Sequence, residues 1–188
     1  CAGIPVSDTS GAVRDALPLL GGQLARFQAA YPVWSKFAAG FMLLFTGMCA
    51  GRITIRYNLY TVGTCLPIPL YAIVACGIAT GGNYLAGFAA SMLLALATKN
   101  YCRAFCNGYG FDAIFRASLY LGLMPLVYAP ALPLLLLLPL AVLLFRRTFR
   151  EVVVATAGLL LPIFTACYVS WGSGAEFTAP LVTVGQSA

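Results

Sequence analysis

The stretch that decides the fold is residues 111–150, FDAIFRASLYLGLMPLVYAPALPLLLLLPLAVLLFRRTFR, a long apolar run with arginines near both ends. One straight helix from Arg116 to Arg146 would be about 46 Å long, whereas a hydrocarbon core is only about 30 Å thick. Tyr128-Ala129-Pro130 interrupts the run near its middle. We therefore expect a Pro-broken helical hairpin over residues 111–145, with arms at 112–128 and 131–145, whose two basic ends lie on one side of a bilayer.

The composition indicates a membrane protein. Of the 188 residues, 61% are hydrophobic and 9% are charged, whereas soluble domains carry about 25% charged residues. A soluble fold is excluded, because a domain of this size has too little interior to bury so much apolar surface. The alternating ten-residue segments typical of membrane β-strands do not occur in the sequence. The expected fold class is therefore all-α, a polytopic transmembrane bundle of about six membrane helices.

Besides the hairpin, the sequence predicts four membrane helices. They are residues 33–51, 65–80, 84–98 and 152–171. Trp34 lies at one end of the first of these, a position where tryptophan anchors a helix at the membrane interface. Gly47 and Gly51 have the small-xxx-small spacing that permits close contact between helices. Residues 33–171 are thus expected to form one transmembrane helical domain.

The two ends of the chain are expected to differ from this domain. Within residues 1–32, apolar side chains recur at alternating four- and three-residue steps, as on one face of a helix. Pro18 and Gly21-Gly22 interrupt the pattern, so we expect two short pieces that lie on the membrane surface, or a loop packed over the other helices. Residues 172–188 are expected to be a polar tail.

The basic residues indicate an orientation. The net charge is +6, but the eleven Lys and Arg residues stand singly or in pairs between apolar runs, which does not favour nucleic-acid binding. Three fall on one side of the predicted topology: Arg14, Arg26 and Lys36. Eight fall on the other: Arg52, Arg56, Lys99, Arg103, Arg116, Arg146, Arg147 and Arg150.

The positive-inside rule places the side with eight basic residues in the cytoplasm. The loops near 52–56, 99–116 and 146–150 are then cytoplasmic in a bacterial inner membrane, and residues 1–32 lie outside. That orientation requires a secretion signal or a further span before Cys1. We therefore expect a fragment of a longer protein rather than a lipid-modified amino terminus.

Candidate binding residues lie at the predicted cytoplasmic ends. Asp112 and Arg116 are four residues apart, so an ion pair within one helix is the simplest role for them. Glu151 has the position of an acid in a first helical turn. The candidates for binding anionic lipid headgroups are Arg103, Asp112, Arg116, Arg146, Arg147 and Arg150. Orientation alone would also explain these arginines.

Candidate catalytic residues are few. Asp8 and Asp15 lie in the expected outer segment, where a carboxylate could act as a general base on a lipid-linked substrate, although two aspartates in a polar loop are more often simply solvated. Seven cysteines are present and histidine is absent, so Cys102 and Cys106 cannot complete a tetrahedral zinc site. We expect no metal and no cofactor. The predicted spans carry no ionisable residue at mid-depth, which argues against an ion-coupled transporter.

Two stretches carry a resemblance to a known family. They are NGYGFDAIFRASLYLGLMPLVYAPALPLLLLLPLAVLLFRRTFREVVVATAGLLLPIF and RITIRYNLYTVGTCLPIPLYAIV. From about Arg52 to Tyr168 the chain resembles an uncharacterised family of multi-spanning inner-membrane proteins of Bacteroidota, which implies no particular activity. Its hydropathy pattern is also similar to that of the GT-C-fold glycosyltransferases. Those enzymes use polyprenyl-phosphate sugars and rely on an acid in the first outer loop, which would here be Asp8 or Asp15.

The expected function is therefore that of an integral inner-membrane protein whose biochemical activity the sequence does not specify, with an accessory role in cell-envelope assembly as the working hypothesis. The alternatives are a GT-C-like glycosyltransferase that uses a polyprenyl-phosphate-linked sugar and a small transporter subunit. The expected partners are the lipid bilayer and a lipid-linked substrate.

Overall fold

The computed structural model describes residues 19–57, 67–78, 84–106, 110–136, 149–174 and 176–187. Every regular element within these ranges is a helix, which confirms the all-α prediction for this part of the chain. The α-helices are α1 (Leu19–Ala30), α2 (Pro32–Arg56), α3 (Pro67–Ile78), α4 (Tyr84–Cys106), α5 (Phe111–Val127), α6 (Phe149–Gly172) and α7 (Ala179–Ser187). A 3-10 helix, Ala129–Leu136, follows α5.

Two of the described helices, α2 and α6, are long and apolar enough to cross a membrane. The other described helices are shorter or more polar. With 12 residues, α3 is about 18 Å long, and α5 with 17 residues is about 26 Å long. The last two turns of α4 carry Lys99 and Arg103. By length and composition the structure thus supports two of the six expected membrane helices.

The helices pack as a row in the order α3, α2, α4, α5, α6. At one end of the row the hydroxyl oxygens of Ser35, in the first turn of α2, and Tyr84, the first residue of α4, lie 2.7 Å apart. These two helices therefore run in the same direction. Small residues dominate the main core cluster, which includes Ala97, Ala117 and Ala155, and small residues let helix backbones approach closely.

The helices α5 and α6 also run parallel, although they are consecutive long helices. Gly158 packs on Phe115 and Ser118, and Gly122 packs on Leu159 and Pro162, so residue numbers rise in the same direction along both helices.

The predicted carboxyl-terminal ends of α2 and α4 come too early, because both helices extend beyond their apolar segments. The helix α2 continues through Arg52 to Arg56, and α4 continues past Thr98 to Cys106. A fall in hydropathy marks the end of the apolar segment and not the end of backbone hydrogen bonding. Polar side chains in these turns bond to the helix itself, as Asn100 does by donating to the Leu96 carbonyl oxygen at 2.9 Å.

Three further expectations need correction. Gly21-Gly22 does not interrupt the first segment, since α1 runs through both residues; tertiary packing can override the modest helix cost of glycine. The expected tail contains α7, whose Val184 is buried. Beyond Tyr128 the chain forms a 3-10 helix instead of starting an α-helical arm at Ala131, and Pro133 within it has no N–H to donate. Residues 137–145 of that arm lie outside the described residues.

Candidate functional site

A cavity of about 320 Å³ opens at one end of the bundle, between α2, α4 and α5. Five of the residues that line it are basic: Arg52, Arg56, Lys99, Arg103 and Arg116. All five side chains are exposed, so the charges form the rim of the cavity. We call this feature the cationic cavity.

The fold explains why these charges meet. Because α2 and α4 are parallel, their carboxyl-terminal turns are neighbours, and each of these turns carries two basic residues spaced four apart, hence on one helix face. The start of α5 lies against the end of α4, where a Cβ built on Gly110 would be 3.1 Å from the Ala104 Cα. This contact brings Arg116 to the same end.

The described lining of the cavity is cationic without a balancing acid, since it includes no Asp or Glu. Like charges four residues apart on a helix destabilise it by a few tenths of a kcal/mol. Outside the lining, Asp112 accepts a hydrogen bond from Nε of Arg116 at 3.0 Å. Both side chains of this ion pair are mostly exposed, so it contributes little to stability.

The inner part of the cavity is apolar. Cys49 is buried and Leu96 and Tyr120 are half-buried, one helical turn deeper in the bundle than the charged rim, and the buried Ile53 lies beneath Arg52 and Arg56. A ligand with a charged group and an apolar part would match both regions. The cavity volume is at the lower end of the roughly 300–1,000 Å³ typical of ligand pockets.

Only some of the predicted headgroup-binding residues lie at the cavity. Arg103 and Arg116 line the cavity, and Asp112 lies beside it through its bond to Arg116. Arg150, in the first turn of α6, is exposed and does not line the cavity. Arg146 and Arg147, like the catalytic candidates Asp8 and Asp15, lie outside the described residues.

Sequence reasoning assigned Arg52, Arg56 and Lys99 to orientation alone and missed their shared cavity. The signal that could have found it was the repeated four-residue spacing of the basic pairs. The burial of Glu151 was also missed, because its expected place in a first helical turn is usually a solvated one. Its side chain is 2% exposed at the start of α6.

No family model, curated protein or solved structure matches this chain. The resemblances drawn from the sequence therefore stay predictions.

Proposed function

We propose that the chain is an integral protein of a bacterial inner membrane, crosses the bilayer several times and serves as an accessory component of cell-envelope assembly. In this proposal the end that carries the cationic cavity lies at the cytoplasmic leaflet. The membrane placement rests on one observation. Along two long apolar helices, the end that carries the cationic cavity and the end that carries tryptophan are separated by about the thickness of a hydrocarbon core.

An exposed apolar stripe runs along α2 with helical spacing. Its large side chains are each more than 60% exposed: Trp34, Phe37, Phe41, Leu44 and Met48. Contiguous apolar surface of this kind is rare on soluble monomers and is normal on a helix that faces lipid. A second stripe of exposed apolar side chains on α6 includes Leu160, Phe164 and Tyr168.

Both stripes end in tryptophan at the end of the bundle opposite the cationic cavity. Trp34 is 69% exposed and Trp171 is 61% exposed. Along α2, Trp34 and Arg52 are about 27 Å apart, and along α6, Arg150 and Trp171 are about 32 Å apart. These lengths match a hydrocarbon core of about 30 Å with aromatic residues at one interface and cations at the other.

The parallel packing of α5 and α6 puts the starts of both helices at the end of the bundle that carries the cationic cavity. In the proposed orientation Arg116 and Arg150 then lie on one side of the membrane, in keeping with the positive-inside rule.

Cysteine labelling on α6 tests the orientation. Phe149→Cys and Ser173→Cys, each in a cysteine-free background, place one thiol at each end of this helix, and both parent side chains are exposed. In intact spheroplasts an impermeant maleimide should label position 173 and should label position 149 only after permeabilisation. Equal labelling of both positions, or release of the protein from membranes by alkaline carbonate, would contradict the proposal.

The glycosyltransferase alternative depends on Asp8 and Asp15, for which the described residues offer no geometry, so it remains a prediction. The transporter alternative gains no support from the described helices.

A further inference from the structure

The cationic cavity has the chemistry of an anion site. Five basic side chains surround one space of about 320 Å³, and the residues that line it include no acid. Arg116 has part of its charge compensated by Asp112, at 3.0 Å. The other four cations come from two neighbouring helix ends and repel one another, so a bound anion would lower the electrostatic energy of the cavity.

The number and type of the cations favour phosphate over a carboxylate. Three guanidinium groups from α2 and α4, those of Arg52, Arg56 and Arg103, offer paired N–H donors that match the oxygens of a phosphate group. A carboxylate has two oxygens and can satisfy one such fork, whereas a phosphate has several oxygens to share among the residues. The Lys99 ammonium group adds a point charge at the same rim.

We propose that the cationic cavity binds the phosphate group of an anionic lipid. The apolar inner lining, with Ile53 and Leu96 beneath the charged rim, favours a phosphate attached to an apolar body over a free phosphate ion. The inference that the phosphate belongs to a lipid rests on the proposed membrane placement. The inference that the ligand is a phosphate is independent of it, because it follows from the lining residues alone.

The test compares two variants with equal loss of charge. Arg52→Gln/Arg103→Gln removes two cations that line the cavity, and Arg26→Gln/Lys36→Gln removes two exposed cations elsewhere. Each full-length protein, purified in a neutral detergent, is titrated with phosphatidylglycerol and, separately, with phosphatidylcholine. Native mass spectrometry measures the fraction of chains that retain lipid, and thermal melting checks that both variants are folded.

The parent protein should retain phosphatidylglycerol in preference to phosphatidylcholine. A cation near anionic lipid contributes roughly a fivefold factor in affinity, so the cavity variant should bind phosphatidylglycerol at least about tenfold more weakly. The control variant should stay within about twofold of the parent. Equal weakening in both variants would overturn the proposal, because it would show that net charge alone attracts the lipid.

A second experiment distinguishes a lipid phosphate from free phosphate. Inorganic phosphate is titrated into lipid-free protein, with chloride at the same ionic strength as the reference. Phosphate binding that is lost only in the cavity variant, without lipid preference, would support a phosphate site and reject the lipid source. Absence of both lipid preference and phosphate binding would overturn the inference. Because the labelling on α6 reports membrane placement independently, failure of that proposal would remain distinguishable from failure of this one.

Discussion

Ser35 and Tyr84 join the first turns of α2 and α4 through a contact of 2.7 Å between their hydroxyl oxygens. Ser35 is fully buried and its hydroxyl also donates to the Pro32 carbonyl oxygen at 2.9 Å. The contact fixes the relative level of two parallel helices at the tryptophan end. It thereby sets which turns of α2 and α4 are neighbours at the other end, where the cationic cavity lies.

Replacement of Tyr84 by Phe should destabilise the protein by about 0.5–1.5 kcal/mol, as expected for the loss of one hydrogen bond between helices. Unfolding in mixed micelles of increasing denaturing detergent measures this change. The matched control is Tyr168→Phe, since Tyr168 is an exposed residue of α6 and its hydroxyl should contribute much less. Equal effects of the two substitutions would show that the Ser35–Tyr84 contact does not stabilise the helix pair.

Replacement of Gly122 by Ala should destabilise the α5–α6 pair strongly. A Cβ at this position would overlap the Leu159 carbonyl oxygen and lie 2.7 Å from the Pro162 Cγ, and neither a backbone group nor a proline ring can turn away. The expected cost is at least about 1–3 kcal/mol, the range for overpacked cores, measured by the same unfolding assay. Gly40→Ala is the control, because its added Cβ has no described neighbour within 4 Å beyond the backbone of its own helix. Near-wild-type stability of the Gly122 variant would contradict the close packing of these helices.

Gly51→Ala should cost clearly less than Gly122→Ala. Its Cβ would meet two side-chain atoms of Ile68 at 3.1 Å, and a side chain can adjust by a few tenths of an ångström where a carbonyl cannot. The two variants, measured side by side by thermal melting in one detergent, give the ranking. A reversed order would mean that α2 and α3 are packed more rigidly than α5 and α6.

Asp112→Asn should strengthen the binding of phosphatidylglycerol about two- to fivefold while changing the free energy of unfolding by less than about 0.5 kcal/mol. The substitution removes the charge that compensates Arg116, and an exposed ion pair contributes little to stability. Native mass spectrometry gives the binding. Glu176→Gln, which removes an exposed acid near the tryptophan end, should leave it unchanged; equal gains in both variants would indicate a general charge effect.

Much of the local structure could be predicted from residue patterns. Pro130 predicted the end of α5, which the structure places at Val127. Proline lacks an N–H and disfavours helical geometry at the residue before it. Gly47 and Gly51 predicted a close contact, and both pack on Ile68 of α3. Helix ends were predicted less well, since hydropathy follows the apolar segment whereas the backbone hydrogen bonds of α4 continue through Asn100 into charged turns.

The candidate site was predicted only as separate charges. Arg103 and Arg116 were identified as headgroup candidates, whereas Arg52 was not, because nothing in its own neighbourhood distinguishes it from an orientation signal. Its place in the cavity depends on α2 and α4 being parallel neighbours. That relation comes from contacts between residues far apart in the chain.

The sequence by itself determined the helical class and the segregation of basic residues from apolar segments, because hydrophobicity, charge and proline geometry act within a few residues of their own position. Only the tertiary structure decided that the ends of α2 and α4 and the start of α5 enclose one cavity. Helix neighbours are chosen by close packing at residues such as Gly122 and by the hydrogen bond between Ser35 and Tyr84. Such packing depends on shape complementarity between distant segments, which no local pattern of residues contains.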